Sequence, residues 1–318
     1  MTRVPIVVVT GATGFVGRQL CRQLQSRGWT VRALLRPGSD PRRLAPGVIA
    51  ARGDMSSRNS VDDATNDADA VVHLAARVHR RGETSPQLRD QYRVDNVSAT
   101  EGLVRSAVRF GVRRFVFVST VRVHGATCAG ICRADDPFAP PDPYAESKLE
   151  AEGVVRNLAD EVEWTIVRPT FVYGGGAKGN FERLVWLTRL ACRVPLPLDG
   201  LAGLRSMMYV ENLASLLSTC VVHPSAARRA LLAADDPPIA TNRFMRMLGT
   251  ALGCRPRLYR GSERLLRAAA FLTGRTDDLS RLADSYVVDT EPLTNVLGWR
   301  PPVAIEEALR RSVDRVRA

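Results

Sequence analysis

Tyr144 and Lys148 lie four residues apart in the segment DPYAESKLEAE, so both side chains project from one face if this segment is a helix. Only two of the 45 lysines and arginines are lysines, so Lys148 stands where arginine would be the rule. A lysine ammonium is a compact charge whose pKa can move, whereas a guanidinium stays protonated. Beside a tyrosine, the ammonium favours the phenolate and lowers the tyrosine's pKa. The pair predicts proton exchange between Tyr144 and a substrate, on a helix from Pro143 to Leu158.

A hydroxyl that holds the substrate oxygen against Tyr144 is expected where the strand run FVFVST ends. Ser119 and Thr120 both end this run, and strand alternation lets only one of them face the site. Asn96 lies in the preceding helix, where its amide either braces this hydroxyl or is an ordinary polar group of the helix surface. The sequence therefore predicts a catalytic centre made of a hydroxyl, a tyrosine and a lysine.

A glycine-rich turn near the start of the chain predicts a dinucleotide site. Residues 4–10, VPIVVVT, form a short β-branched run, and a helical pattern begins at Phe15. Between them, Gly11 and Gly14 allow the backbone to turn tightly and approach a pyrophosphate. Gly17 lets the helix pack close to the strand, so that the helix N-terminus faces the anion.

The same alternation of strand and helix continues along the first half of the chain. Further apolar strand runs lie at 30–36, 47–54, 68–76 and 113–120. This pattern predicts an α/β fold with a doubly wound parallel Rossmann sheet. We predict a dinucleotide-binding Rossmann domain over 1–173 and a smaller C-terminal α/β substrate-binding domain over 174–318, with part of about 205–235 returning to the core.

The end of the second strand bears on the choice of cofactor. NAD-binding sheets usually end this strand with an acidic residue for the ribose 2′-hydroxyl, whereas an arginine suits a 2′-phosphate. This chain has Leu35 and then Arg36, which favours NADP(H), with NAD(H) as the alternative if Arg36 is only a solvated arginine. Asp54, at the end of the third strand, either meets the adenine or is a turn residue.

Charge and composition exclude several classes of partner. The net charge is +12, but the arginines are scattered among Asp and Glu and form no basic block with interleaved aromatic residues. Nucleic-acid binding is therefore not expected, and the positive field favours small anionic ligands. No apolar run reaches the roughly 18 residues of a spanning helix, so we expect a cytoplasmic protein without membrane insertion.

The cysteines are also typical of a cytoplasmic protein. The six cysteines contain no CxxC motif, and the pair Cys128 and Cys132 has no second pair of ligands in the sequence. This pattern predicts free thiols in a reducing compartment. We expect no metal site.

Several motifs occur together in an order that is typical of one family. They are TGATGFVG, GDM, VVHLAA, DNVSAT, FVSTVRVHG, YAESK and VRPTFVYG, within residues 7–174, and the C-terminal LGWRPPVAIEEALR. By these motifs the chain resembles the extended short-chain dehydrogenases/reductases of the NAD-dependent epimerase/dehydratase family. The resemblance implies that Thr120, Tyr144 and Lys148 take the catalytic positions, with Thr120 rather than Ser119 as the hydroxyl.

The resemblance also implies which residues hold the two ligands. The cofactor contacts would be Gly11, Thr13, Gly14, Phe15, Val16, Gly17, Arg36, Asp54, Met55, Leu74, Ala75, Ala76, Asn96, Tyr144 and Lys148. The substrate, a nucleotide-diphosphate sugar that is expected to be UDP-linked, would be held by Arg77, Thr120, Arg122, Lys178, Asn180 and Arg205. A homodimer through helices at about 85–110 and 143–158 would also be typical of the family.

The family's chemistry divides just after the catalytic hydroxyl, where dehydratases carry an Asp-Glu pair. This chain has Val121 and Arg122, which disfavours a dehydratase and a decarboxylase and leaves hydride transfer at C4 of the sugar. The strings HLAARVH, STVRVHG, GAKGNF and SMMYVENL also resemble a subgroup of bacterial enzymes that reduce UDP-4-keto-6-deoxy-N-acetylhexosamines for surface polysaccharide. This resemblance, together with Arg36, implies an NAD(P)-dependent 4-ketoreductase or dehydrogenase of a UDP-6-deoxy-N-acetylhexosamine. A UDP-glucose or UDP-N-acetylglucosamine 4-epimerase is the first alternative, and a non-catalytic NADP-sensing protein of the same fold is the second.

Overall fold

A parallel sheet of seven strands is the centre of the fold. The computed structural model describes residues 3–78, 87–128, 130–158, 161–177, 179–262, 266 and 283–317. The strands are β1 (Ile6–Thr10), β2 (Thr30–Leu35), β3 (Ile49–Arg52), β4 (Ala70–His73), β5 (Arg114–Val118), β6 (Ile131–Cys132), β7 (Glu163–Pro169), β8 (Phe171–Tyr173), β9 (Leu204–Arg205), β10 (Met207–Tyr209), β11 (Arg229–Ala233), β12 (Ile239–Ala240) and β13 (Val287–Val288). The central sheet has the order β11-β7-β5-β4-β1-β2-β3, and all its pairings are parallel. The predicted doubly wound Rossmann sheet is confirmed.

The strand order reverses between β1 and β4. From β1 the chain builds outward to β3, then crosses back to place β4 on the other side of β1. In such open sheets, ligands bind outside the carboxyl ends of the strands at this reversal. The residues that follow β1 and β4 are therefore the ones from which a site must be built.

Helices cover both faces of the sheet. They are α1 (Phe15–Ser26), α2 (Arg58–Thr65), α3 (Gln87–Tyr92), α4 (Ala99–Arg109), α5 (Pro143–Leu158), α6 (Asn180–Arg193), α7 (Val210–Val222), α8 (Thr241–Leu252), α9 (Glu291–Asn295) and α10 (Ile305–Arg317). Val7 and Val9 of β1 pack with α1 and α7, whereas Val8 packs with α2, α4 and α5. Alternate residues of one strand thus enter two cores, which is why these strands are apolar throughout rather than alternating.

A third core joins α6, α8 and α10. Tyr173 packs edge-on against Phe244 of α8, and Phe181 of α6 and Leu309 of α10 complete the cluster. Three two-stranded sheets lie outside the central one: β8 with β10, β9 with β12, and β6 with β13. Late in the chain, β11 pairs with β7 at the edge of the central sheet. The division into domains at 173 and 174 stays a prediction.

Two cysteines form a disulfide that the sequence did not reveal. Cys192, in the last turn of α6, is bonded to Cys254, which follows α8, with Cα atoms 6.0 Å apart. The prediction that all cysteines are free thiols was wrong for this pair, because the packing of α6 against α8 brings together residues 62 positions apart. The other cysteines, Cys21, Cys128, Cys132 and Cys220, are free.

In the part of the chain that the structure describes, no helix is both long enough and apolar enough to cross a bilayer.

Candidate functional site

The glycine turn after β1 is pressed against the end of β4. Gly11 has φ +70°, and a Cβ added there would lie 2.9 Å from the Ala75 nitrogen. A Cβ on Gly17 would lie 2.2 Å from the Gly11 carbonyl oxygen, so α1 packs directly on the turn. Gly14 precedes α1 without a side-chain cap, which leaves the first N–H groups of the helix to an anion. This cradle fits the pyrophosphate of a dinucleotide.

The other predicted residues of this turn and of the segment after β4 lie around the cradle. Thr13, Phe15 and Val16 are half-buried, and the Phe15 ring would be 3.2 Å from a Cβ on Gly174, so the loop after β8 closes over the start of α1. Leu74, Ala75 and Ala76 follow β4 directly and are half-buried too.

A buried histidine fixes the backbone of that segment. His73 Nδ1 is 2.6 Å from the Thr10 hydroxyl, which also accepts the N–H groups of Leu74 and Ala75 at 3.2 and 3.1 Å. The His73 Nε2 is 3.0 Å from the Thr100 hydroxyl, which itself donates to a carbonyl. These roles assign the proton to Nε2. Burial lowers the pKa of His73 to about 3, so the ring is neutral and the network is undisturbed at physiological pH.

The end of β2 presents an unpaired arginine. Arg36 is exposed, and within the part of the chain that the structure describes its guanidinium forms no hydrogen bond or ion pair, although its charge is one of the smaller causes that lower the pKa of Asp54. Asp54, by contrast, is exposed and accepts the backbone N–H of Ser56 at 2.9 Å, and this hydrogen bond is the main reason that its pKa is lowered. Asp54 thus shapes its own turn, while Met55 beside it is half-buried.

A π-helical turn brings Asn96 into the site. Between α3 and α4, Arg93–Ser98 forms a π-helix, a distortion that often occurs at functional positions. The Asn96 side chain is buried, donates to the Ser147 hydroxyl of α5 at 2.8 Å, and accepts the N–H of Arg77 at 2.7 Å. Asn96 therefore joins the helix that carries Tyr144 to the segment after β4. The Arg77 guanidinium itself pairs with Asp95 at 3.1 Å.

Tyr144 and Lys148 lie on α5, whose bounds match those predicted. The expected lowering of the tyrosine's pKa does not occur in this structure. Burial and the charge of Asp142 raise the pKa of Tyr144 to about 12, against an opposing effect of Arg122. The Tyr144 ring packs against Tyr92 with centroids 6.2 Å apart. Desolvation outweighs the one favourable charge, that of Arg122, and Lys148 is not among the groups that shift the pKa of Tyr144. Tyr144 is therefore a protonated phenol at neutral pH.

Lys148 is almost fully buried. Its Nζ lies 3.9 Å from the centroid of the Phe117 ring, which gives the ammonium a cation–π contact. Burial lowers the pKa of Lys148 to about 7, and Glu152 partly offsets this shift. The side chain thus titrates in the physiological range, which an arginine at this position would not do.

The two candidate hydroxyls at the end of β5 face different surroundings. The Thr120 hydroxyl accepts the N–H of Arg122 at 3.3 Å and begins the 3₁₀ turn Val121–His124. Ser119 faces Glu152 and contributes to lowering that carboxyl's pKa. The Arg122 guanidinium forms an ion pair with Asp142 at the start of α5, so the turn that carries Thr120 is fastened to the helix that carries Tyr144.

The structure adds an ion pair that the sequence analysis missed. Arg168 of β7 donates to both carboxylate oxygens of Glu152 at 2.9 and 2.7 Å, and neither side chain is exposed. Its Nη1 also donates to His124 Nε2 at 2.9 Å and to the Ala134 carbonyl at 2.7 Å. Although burial alone would raise it, the pKa of Glu152 is lowered by the hydrogen bonds and charge of Arg168. The only signal in the sequence was a glutamate one turn after Lys148.

The remaining predicted substrate residues are spread over the C-terminal part. Asn180 is exposed at the first position of α6, and the Arg205 guanidinium donates to the Asp284 carbonyl at 2.8 Å. The backbone of Arg205 forms an isolated β-bridge with Tyr286. The Tyr286 hydroxyl donates a hydrogen bond to the Val121 carbonyl at 3.2 Å. Arg205 therefore lies on a segment that touches the Thr120 turn. Lys178 lies outside the described residues.

Comparison with known proteins identifies the family. Residues 7–231 match the profile of the NAD dependent epimerase/dehydratase family. The chain is 31% identical over 312 residues to UDP-glucose 4-epimerase of Vibrio cholerae, with 96% of this chain and 94% of the relative covered. It is 30% identical over 332 residues to 2-alkyl-3-oxoalkanoate reductase of Stenotrophomonas maltophilia (strain K279a), with 96% and 97% covered.

Solved structures agree with this result. The structure of MoeE5 in complex with UDP-glucuronic acid and NAD superposes with a TM-score of 0.75 at 27% identity, and the alignment covers 98% of both chains. The chain therefore belongs to the NAD-dependent epimerase/dehydratase family of extended short-chain dehydrogenases/reductases, as its motifs indicated.

The buried pair predicts a large effect on stability. Glu152→Gln preserves the side-chain shape but leaves the Arg168 charge buried without a counter-charge, so we expect a loss of about 3–5 kcal/mol in the free energy of unfolding, measured by urea denaturation. The control is Glu101→Gln, which breaks the exposed pair with Arg105 in α4 and should cost less than about 1 kcal/mol. Equal losses in the two variants would contradict the assignment.

The lowered pKa of Lys148 predicts a pH-dependent gain in stability on its removal. Below about pH 7 the folded protein buries the ammonium, whereas above it the folded side chain is neutral while the unfolded one still holds its proton. Lys148→Met, an unbranched replacement, should therefore stabilise the protein by about 1–4 kcal/mol at pH 6, and the gain should shrink at pH 9. A loss of stability, or the same gain at both pH values in urea titrations, would show that Lys148 is not buried as an ammonium.

Proposed function

We propose that the chain is an NADPH-dependent reductase that converts the C4 ketone of a UDP-linked 6-deoxy-N-acetylhexosamine to an alcohol. The observation that carries the proposal is Arg36, which is exposed and unpaired at the end of β2, where an NAD enzyme would place an acidic residue. A reductase exchanges its cofactor at each turnover, and NADPH is the reduced cofactor that an arginine at this position would select.

The protonation state of Tyr144 is compatible with reduction. A bound nicotinamide supplies the hydride that is added to C4. Tyr144, whose pKa is about 12, is in the protonated state from which it can donate its phenol proton to O4, so that the ketone becomes an alcohol. Thr120, at the other side of the site, would hold the same oxygen through its hydroxyl.

The surroundings of Thr120 support reduction over dehydration. A dehydratase needs an acid and a base directly after the hydroxyl, but Val121 packs into an apolar cluster and Arg122 is paired with Asp142. Neither residue can take up a proton from the sugar. Lys178, Asn180, Arg205 and Arg77 remain the proposed contacts to the substrate.

A 4-epimerase is the second candidate. Its support is the 31% identity to UDP-glucose 4-epimerase of Vibrio cholerae over nearly the whole chain. An epimerase would need Tyr144 first as a base and then as an acid on the same oxygen, and it would retain an NAD cofactor. An idle sensor of NADP would not need a buried lysine beside a tyrosine, so this alternative has no observation in its favour.

The first test concerns proton donation. Tyr144→Phe keeps the ring that packs on Tyr92 but removes the phenol proton, so the rate of NADPH oxidation with a UDP-4-keto sugar should fall about 10²–10⁴-fold, while the Kd for NADPH stays unchanged. Tyr259→Phe, which changes an exposed tyrosine, should retain the wild-type rate. A Tyr144→Phe variant with the same rate as the wild type would remove Tyr144 from the chemistry.

The second test concerns the cofactor. Arg36→Ala should raise the Kd for NADPH about 10- to 150-fold, the loss of one charge-assisted contact of about 1.5–3 kcal/mol, and should leave the Kd for NADH unchanged. Arg193→Ala, at the exposed end of α6, is the matched control and should affect neither cofactor. Tighter binding of NADH than NADPH by the wild type would contradict the NADP(H) proposal and move the epimerase ahead.

A further inference from the structure

Two cysteines and an aspartate meet beside the Thr120 turn. The Sγ atoms of Cys128 and Cys132 and a carboxylate oxygen of Asp136 all lie within 4.8 Å of one another. Cys132 is fully buried, and Cys128 and Asp136 are half-buried. In a tetrahedral zinc site, bonds of about 2.0–2.3 Å place the ligand atoms about 3.3–3.8 Å apart. Shifts of about 1 Å would therefore close these three groups around one ion.

Backbone hydrogen bonds hold two of the three donors, Cys132 and Asp136, in place. Strand β6 carries Cys132 and pairs with β13, and the Cys132 carbonyl accepts the N–H of Asp289 at 2.8 Å. Asp136 accepts the N–H of Arg133 at 2.7 Å through one carboxylate oxygen. Hydrogen bonds of this kind orient metal ligands in established sites. No second pair of cysteines accompanies Cys128 and Cys132 in the sequence, and the third donor in the fold is a carboxylate instead.

We propose that Cys128, Cys132 and Asp136 form a binding site for a thiophilic divalent cation, with Zn²⁺ as the preferred ion. Thiolate sulfur favours Zn²⁺ over Mg²⁺ or Ca²⁺, and three protein ligands leave the fourth position to water. Both thiol protons are released to solvent when the ion binds.

The position of the site suggests what the ion would do. Cys132 packs against Val121, the residue after Thr120, and the Ala134 carbonyl between the ligands accepts a hydrogen bond from Arg168. An ion here would fasten the segment that supports the catalytic turn. Its role would be structural, and the proposed reduction does not require it to touch the substrate.

The test measures metal binding on the full-length protein, independently of turnover. Protein stripped with a chelator under reducing conditions is titrated with Co²⁺ and then with Zn²⁺, and bound metal is counted by elemental analysis. We expect one ion per chain, a thiolate-to-cobalt charge-transfer band, and displacement of Co²⁺ by Zn²⁺. Cys128→Ser should remove about half of the band and weaken binding by at least about 100-fold, and Asp136→Asn should weaken binding by about 10- to 100-fold.

Three controls make the result decisive. Asp135→Asn changes the exposed neighbouring carboxylate and should bind as the wild type does. Cys192→Ser combined with Cys254→Ser removes the disulfide pair and should still bind one ion. Because Cys128 is only half-buried, its variant should keep its circular dichroism spectrum and its affinity for NADPH. The proposal is overturned if the wild type retains no metal, if Cys128→Ser binds unchanged, if binding disappears with the disulfide cysteines, or if Cys128 and Cys132 oxidise to a disulfide that never admits an ion.

Discussion

The buried ion pair between Glu152 and Arg168 holds together the parts of the chain on which the proposed chemistry depends. Glu152 follows Lys148 by one turn of α5, while Arg168 belongs to β7 in the central sheet. The same guanidinium reaches His124 at the end of the Thr120 turn. Two charges in a site with no exposure are tolerated only when their hydrogen bonds are complete, and this requirement fixes helix, strand and turn in one relative arrangement.

Near this pair, burial shifts the pKa values of two further groups, Tyr144 and Lys148, in opposite directions. A phenol that donates a proton must be protonated, and desolvation raises the pKa of Tyr144 further above neutrality, to about 12. The burial of Lys148 lowers its pKa to about 7. Desolvation thus acts on both groups, raising one pKa and lowering the other. An arginine in place of Lys148 could not be tuned in this way.

The sequence predicted the features that depend on local pattern. The β-branched runs, the glycine turn and the helix at Pro143–Leu158 follow from periodicity and from backbone geometry that only glycine allows. It could not show that Cys192 lies beside Cys254, or that Asp136 joins Cys128 and Cys132, because such contacts arise from packing between distant segments. It also assigned Tyr144 a lowered pKa, since spacing along a helix shows which charges are near but not how far burial opposes them.

Reduction of a ketone and inversion of an alcohol differ in the fate of the hydride. NADPH that carries deuterium at the transferable position is supplied together with a UDP-4-keto-6-deoxy-N-acetylhexosamine, and the sugar is followed by NMR. A 4-ketoreductase places deuterium at C4 of the product and forms NADP⁺ in equal amount. Interconversion of UDP-glucose with its 4-epimer, without net oxidation of added NADPH and without deuterium in the sugar, would show that the protein is an epimerase instead.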